Sequence, residues 1–201
     1  MKVAAIFFDV GGVLIGSHFE TFLTIVAGKL GVEAEYLIRI RKIYHKDMVT
    51  GRFSVEEFLR TLKHEKGMTL EDSEMLDIWK SNYIKVMGIN DDIYSFISTL
   101  DCRVGIISDV YALHAKMNRA RGVYDGFDPC ILSCEVQLSK TGSEIFNLAL
   151  KECGLSAKEC VFIDDREKNV RVAQELGFKA ILFEGNKKLI ADLSALGVHH
   201  G

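Results

Sequence analysis

Four short apolar runs, each ending at an acidic or hydroxyl residue, constrain the fold more than any other feature of the sequence. The runs cover residues 3–8, 104–107, 161–163 and 180–183. Strands that are nearly continuous in apolar residues are typical of a parallel sheet with both faces buried. Patterns with apolar residues three and four apart alternate with the runs and predict helices. A weaker run at residues 130–133 predicts a fifth core strand. The fold class we expect is therefore α/β, a doubly wound, Rossmann-like parallel sheet.

Residues 17–85 interrupt this alternation because they carry only helix signals. A connection of roughly seventy residues is too long for a simple crossover between strands. It predicts an inserted helical-bundle cap at 17–85, with 1–16 and 86–201 forming the α/β core. Ser17 with Glu20, and Ser54 with Glu57, have the spacing of capping boxes that begin helices.

Polar residues follow the predicted strands at positions that a parallel sheet brings to one edge. They are Asp9, Ser108, Asp109, Lys140, Asp164 and Asp165. Carboxylates that lie close together resist ionising unless a cation lies between them, and carboxylate oxygens suit Mg²⁺. Ser108 and the N–H groups that open a helix near Tyr111 form an anion site, to which Lys140 adds a positive charge. These features together indicate phosphoryl transfer.

The segments that carry these residues resemble the four motifs of the haloacid-dehalogenase-like hydrolases. In chain order they are FDVGGVL at 8–14, ISD at 107–109, LSKT at 138–141 and VFIDDR at 161–166. Their order and spacing match the family over nearly the whole chain, and the helical insertion lies where the family places a small cap. The first motif has the form Asp-x-Gly-x-Val, which is similar to a subgroup of sugar-phosphatase-like members. The resemblance implies hydrolysis of a small phosphomonoester.

The resemblance also implies a role for each motif residue. Asp9 would be the nucleophile and would form an aspartyl-phosphate. The implied Mg²⁺ ligands are Asp9, the carbonyl of Gly11, Asp165 and, through water, Asp164. Ser108 and the N–H of Asp109 would hold the phosphoryl oxygens. Lys140 would steady the charge on Asp9 and contribute to the phosphate site.

Gly11 departs from the family pattern, since most of its phosphatases have a second aspartate at this position as general acid and base. Such catalysis is typically worth ~10²–10⁴-fold. One explanation is a substrate with a good leaving group, such as a sugar 1-phosphate or an acyl phosphate. Another is a surrogate acid, Asp109 or His18. Alternative functions are a mutase, and a catalytically weak or inactive protein that binds phosphorylated ligands or has a regulatory role.

Composition and charge limit the partners. A net charge of -3 gives no reason to expect nucleic acid, and no apolar stretch is long enough to span a membrane. The 5 cysteines are odd in number and lack the spacing of a disulfide framework, which favours reduced thiols and the cytoplasm. We expect a small phosphorylated metabolite as substrate and a monomer or homodimer.

Four further basic residues lie within the predicted cap or the fourth motif. Exposed helix faces carry such charges routinely, so these residues are not part of the predicted site. They are Arg41, His45, Lys46 and Arg166.

Overall fold

A computed structural model describes residues 2–198 of the chain. Its centre is a sheet of five parallel strands in the order β3-β2-β1-β4-β5, which confirms the predicted fold class. The strands are β1 (Ala5–Phe8), β2 (Arg103–Ser108), β3 (Cys130–Leu132), β4 (Cys160–Asp164) and β5 (Lys179–Leu182).

The register of the sheet aligns the ends of the central strands. Phe8 at the end of β1 pairs with Ile106 of β2 and with Ile163 of β4. The next residues along the three strands therefore reach the same edge of the sheet. This alignment explains why polar residues that are far apart in the sequence meet at one place.

Both faces of the sheet are buried, because successive side chains of a strand point to opposite sides. Phe7 packs on one face, where its ring centre lies 6.4 Å from that of Phe178. Phe8 packs on the other face, with its ring centre 6.1 Å from that of Phe127. The continuous apolar run of β1 is the result of this two-sided burial.

Four helices, here called the cap helices, follow β1 in the sequence and precede the rest of the core. They are α1 (Phe19–Leu30), α2 (Ala34–Val49), α3 (Val55–Lys66) and α4 (Asp72–Val86). Their shared core centres on Trp79, whose ring centre lies 4.9 Å from that of Phe22 and 5.9 Å from that of Phe58. The division into a cap of 17–85 and a core of 1–16 and 86–201 stays a prediction.

Six further α-helices follow the cap helices along residues 2–198. They are α5 (Asp91–Ile97), α6 (Ala112–Ala120), α7 (Ser133–Val136), α8 (Glu144–Cys153), α9 (Glu167–Glu175) and α10 (Asn186–Ala195). Within residues 2–198, none of the helices has the length and apolar character needed to cross a membrane.

One of the two predicted capping boxes is present. At the start of α3, Ser54 Oγ accepts a hydrogen bond from the backbone N–H of Glu57 at 3.1 Å, and the Glu57 carboxylate accepts one from the Ser54 N–H at 2.7 Å. The box predicted for Ser17 and Glu20 is wrong. Because α1 begins at Phe19, the cap position is His18, and Glu20 is the second helical residue rather than the third.

Candidate active site

Six of the seven residues proposed as site residues from the sequence line one cleft at the carboxyl edge of the sheet. They are Asp9, Gly11, Ser108, Asp109, Lys140 and Asp165. The seventh, Asp164, is fully buried behind this layer, where it contacts Lys140. The cleft has a volume of about 110 Å³. Its far wall belongs to the cap helices.

A tight turn after β1 positions Asp9 and exposes the backbone beyond it. The carbonyl of Val10 accepts hydrogen bonds from Leu14 N–H at 3.0 Å and from Ile15 N–H at 2.9 Å. Gly12 has a φ of 84°, in the left-handed region that favours glycine. Within residues 2–198, no hydrogen bond reaches the carbonyl of Gly11, so that oxygen is available to a ligand.

Lys140 joins two carboxylates at the base of the cleft. Its Nζ lies 2.7 Å from Asp9 Oδ1 and 2.5 Å from Asp164 Oδ2. The three residues are 1%, 6% and 0% exposed for Lys140, Asp9 and Asp164 respectively, so water screens their charges little. Asn169 supports the arrangement by donating its Nδ2 hydrogens to Asp164 Oδ1 at 3.1 Å and Oδ2 at 2.9 Å.

The environment of this cluster shifts the pKa values of its members. Burial raises the pKa of Asp9 to about 7; Lys140 opposes the rise, and Asp164 and Asp165 add to it. Burial and the neighbouring Asp164 also raise the pKa of Asp165. Burial alone would lower the pKa of Lys140, but Asp9 and Asp164 outweigh that effect and raise it. Lys140 therefore carries a positive charge.

The carboxylates of this cluster fit a divalent cation. Asp9, Asp164 and Asp165 each offer an oxygen, and these oxygens all lie within 4.8 Å of one another. Oδ1 of Asp165 is buried and has no hydrogen-bond partner in the described chain, which is the expected state of an oxygen that serves a metal ion. A cation there would favour the charged forms of carboxylates whose burial favours the neutral forms.

The end of β2 and the residue after it place a hydroxyl residue and a backbone N–H at the cleft. Ser108 is 1% exposed and lines the cleft. The N–H of Asp109 donates no hydrogen bond within residues 2–198, whereas the N–H of Val110 is held by Ser133 Oγ at 2.9 Å. Ser108 and Asp109 both line the cleft, and their role as phosphate contacts stays a prediction.

The side chain of Asp109 has a structural contact that the sequence did not reveal. Its Oδ1 accepts a hydrogen bond from the backbone N–H of Lys140 at 2.9 Å. The contact ties the β2 loop to the segment that carries the buried lysine. Burial raises the pKa of Asp109, with the nearby Lys140 opposing the rise.

His18, the other candidate for a surrogate acid, does not line the cleft. It is exposed at the start of α1, in an adjoining surface groove with Gly16 and Gly88. We therefore find no support for His18 as a proton donor to a substrate bound at Asp9.

Three of the basic residues that sequence reasoning set aside do line the cleft: Arg41, His45 and Arg166. Lys46, the fourth, is exposed and lies outside it. Arg41 Nη1 donates to Tyr111 Oη at 3.1 Å and lies 3.2 Å from His45 Nδ1. The one available signal was the spacing of Arg41 and His45, four residues apart on one helix, which places them on the same face.

Comparison with known proteins places this geometry in a family. The sequence pattern of the haloacid dehalogenase-like hydrolases matches residues 3–177. A glyceraldehyde 3-phosphate phosphatase of Methanocaldococcus jannaschii is 31% identical over 99 residues, which are 48% of this chain and 43% of that protein. The chain thus spans less than half the length of that relative. A D-ribitol-5-phosphate phosphatase of Bacteroides thetaiotaomicron is 25% identical over 195 residues, 87% of this chain and 88% of that protein.

A solved structure shows the same fold. It is a HAD family enzyme from Bacteroides thetaiotaomicron in complex with magnesium and inorganic phosphate, with a TM-score of 0.73 and 22% identity. The similarity covers 94% of this chain and 99% of that one. Three observations point to the same family: the matched sequence pattern, the five-stranded parallel sheet and the four motifs at its carboxyl edge. The chain belongs to the haloacid dehalogenase-like hydrolase family.

Proposed function

We propose that the chain is a Mg²⁺-dependent phosphatase that hydrolyses a small, sugar-phosphate-like monoester through an aspartyl-phosphate on Asp9. The observation that carries this proposal is the meeting of Asp9 with Lys140, Asp165 and the Ser108 loop in one cleft. The two relatives named above, which are phosphatases of small phosphorylated sugars or sugar alcohols, support the substrate class.

In the first step, a carboxylate oxygen of Asp9 attacks phosphorus, and the bond from phosphorus to the substrate oxygen breaks. Asp9 Oδ1 is occupied by the Val10 N–H at 2.7 Å and by Lys140 Nζ at 2.7 Å, which fix the rotation of the carboxylate. Ser108 and the Asp109 N–H would hold the phosphoryl oxygens. A leaving alkoxide takes a proton from water, because Gly11 offers no side chain to donate one.

In the second step, water attacks phosphorus, and the bond to Asp9 breaks to release inorganic phosphate and regenerate the carboxylate. The ammonium group of Lys140 stabilises that carboxylate as it re-forms. Mg²⁺, which Asp9, Asp165, the Gly11 carbonyl and, through water, Asp164 would hold, supplies charge neutralisation for the phosphoryl group when bound. These residue roles are part of the proposal.

Hydrolysis of para-nitrophenyl phosphate tests the proposal directly. We expect turnover that requires Mg²⁺, stops with EDTA and is lost in Asp9→Asn. Asp92→Asn is the matched control, since Asp92 is exposed on α5, and it should keep wild-type turnover. Fluoroberyllate with Mg²⁺ imitates a phosphoryl group on aspartate, so it should raise the melting temperature of the wild type but not of Asp9→Asn.

The absence of a side chain at Gly11 favours a second candidate, a protein that binds phosphorylated ligands without turning them over. That function predicts the same stabilisation by a phosphate analogue, but no release of inorganic phosphate from any monoester. We place the action of the chain in the cytoplasm, because its cysteines are free thiols. The oligomeric state, a monomer or a homodimer, stays a prediction.

A further inference from the structure

Arg41 lies on α2 in the wall of the cleft that Asp9 also lines, and two contacts hold its guanidinium. Its guanidinium carbon lies 5.3 Å from the centre of the Phe19 ring, and its Nη1 donates to Tyr111 Oη at 3.1 Å. Tyr111 follows the Ser108 loop and is 4% exposed, so the contact joins cap helix α2 to the proposed phosphate site. A guanidinium held in this way loses little freedom when it binds a ligand.

The contacts of Arg41 also fix which atoms around it donate. Arginine has no acceptor, so His45 Nδ1, which lies 3.2 Å from Arg41 Nη1, is an acceptor. Tyr111 Oη lies 3.1 Å from His45 Nδ1 and can donate a hydrogen bond to that nitrogen. The proton of the neutral His45 ring is therefore on Nε2. Arg41 and His45 together have only N–H donors left for a ligand.

The positive charges in this part of the cleft have no direct ion-pair partner among the described residues, although the charge of Arg166 acts on Asp109 and Asp165. Neither Arg41 nor Arg166 forms an ion pair with any carboxylate of residues 2–198, and the buried Nε of Arg41 has no hydrogen-bond partner there. A buried donor without a partner is unfavourable, unless a ligand supplies the acceptor.

We infer that Arg41, with His45 and Arg166 beside it, binds a second anionic group of the substrate, a carboxylate or phosphate on the leaving group. This inference rests on the proposed phosphatase function and specifies its substrate class. A planar guanidinium matches two oxygens of an oxyanion, which a single hydroxyl does not. With its phosphate at Asp9, a substrate would extend across the cleft from β1 to α2. The preferred substrates are therefore phosphomonoesters that carry a further acidic group.

Matched substrates test the inference. 3-Phosphoglycerate carries a carboxylate at the position where glycerol 3-phosphate carries a hydroxymethyl group. Propane-1,3-diol bisphosphate and its monophosphate form a second pair, which separates a phosphate from a carboxylate as the second anion. The readout is the ratio of kcat/KM values within each pair.

The proteins to compare are the wild type, Arg41→Gln, Arg41→Lys and Arg39→Gln, with melting temperatures to confirm folding. Arg39 is the control, because it lies on the same helix but is exposed beside Tyr36, outside the cleft.

We expect the wild type to prefer the acidic member of at least one pair by about tenfold or more, as a charge-assisted contact allows. Arg41→Gln should reduce the ratio to within about threefold, Arg41→Lys should give an intermediate ratio, and Arg39→Gln should keep the wild-type ratio. Turnover of para-nitrophenyl phosphate with equal rates within both pairs would overturn the inference alone. No turnover of any substrate would overturn the phosphatase function, and the inference with it.

Discussion

Gly12 and Asp165 approach each other so closely that a Cβ atom on residue 12 would lie well inside van der Waals contact with the Asp165 carboxylate. At Gly11 the same atom would meet nothing within 4 Å. Two adjacent glycines in the first motif therefore have different functions. Gly12 makes room for a proposed metal ligand, whereas Gly11 leaves space beside the nucleophile.

Gly12→Ala is expected to displace Asp165 and to strain a backbone that has a φ of 84°. Moving one ligand or its support typically costs about 10-fold to 100-fold in metal affinity or activity. When activity is titrated against Mg²⁺, the variant should therefore need a higher Mg²⁺ concentration for half-maximal activity. Its activity at saturating Mg²⁺ should also be lower. Gly11→Ala keeps the carbonyl and fits the space, so its effect should be much smaller. Equal losses in the two variants would contradict this account.

Gly11→Asp places a carboxyl group where most members of the family have one, and the site has room for its Cβ. We expect a gain in kcat/KM that is greatest for esters with poor leaving groups, since these need a proton most. General acid catalysis is typically worth ~10²–10⁴-fold, so a gain of about tenfold on an alkyl phosphate is a modest expectation. The test compares an alkyl phosphate, para-nitrophenyl phosphate and acetyl phosphate in both proteins.

The wild type should show a steep dependence of rate on the leaving group in that series, with the acyl phosphate hydrolysed fastest. A flat series for the wild type, unchanged in Gly11→Asp, would mean that another group already protonates the leaving oxygen.

Two substitutions of Asp109 distinguish a role as proton donor from a role as structural hydrogen-bond acceptor. Its Oδ1 accepts the Lys140 N–H at 2.9 Å, and asparagine offers an equivalent oxygen. Asp109→Asn should therefore keep kcat within about threefold, whereas Asp109→Ala leaves that N–H without its partner and should cost about tenfold, or roughly 1–2 kcal/mol. Initial rates with saturating Mg²⁺ measure both. If Asp109→Asn loses activity as severely as Asp109→Ala, Asp109 acts as the surrogate acid.

His114 should make the fold less stable in mild acid. It is 3% exposed, accepts a hydrogen bond from Trp79 Nε1 at 2.8 Å and stacks on Tyr83 at 3.8 Å between ring centres. Burial lowers its pKa from 6.5 to about 3 in the folded state. Its stabilisation is therefore complete above pH 6.5 and decreases as the pH falls toward 3, because the unfolded chain binds the proton first.

Between pH 7 and pH 5 the loss from this residue amounts to about 2 kcal/mol. Urea unfolding at both values should show that loss in the wild type but not in His114→Gln, which retains an acceptor for Trp79 and has no titrating ring. His64→Gln, at an exposed position of α3, is the control and should follow the wild type. Groups common to the proteins cancel in the comparison. Parallel curves for wild type and His114→Gln would rule out this contribution.

The sequence predicted the sheet and its edge because both depend on local patterns. The apolar run at residues 3–8 corresponds to β1 (Ala5–Phe8), and Asp9 follows directly at the edge where Ser108 and Asp164 also lie. Parallel order alone brings those ends together. Two-sided burial leaves a simple signal in the sequence, which is why five strands could be predicted.

The cap side of the cleft could not be predicted in the same way. Arg41 and His45 share a face of α2, but the rotation of that helix over the sheet depends on packing between α1, α2 and α4. Periodicity does not show which polar face is turned to solvent and which to the cleft. Asn169 was missed for a related reason: it is the third residue of α9, and only the turn after β4 directs it back to Asp164.

Trapping of the phosphorylated enzyme tests the central claim most directly. Wild type is mixed with substrate and Mg²⁺, quenched in acid within one turnover, and digested for mass spectrometry. We predict one added phosphoryl group on the peptide that contains Asp9, absent when EDTA replaces Mg²⁺ and absent in Asp9→Asn. Substrate turnover with that peptide unmodified at every quench time, or with the phosphoryl group on another residue, would contradict the account.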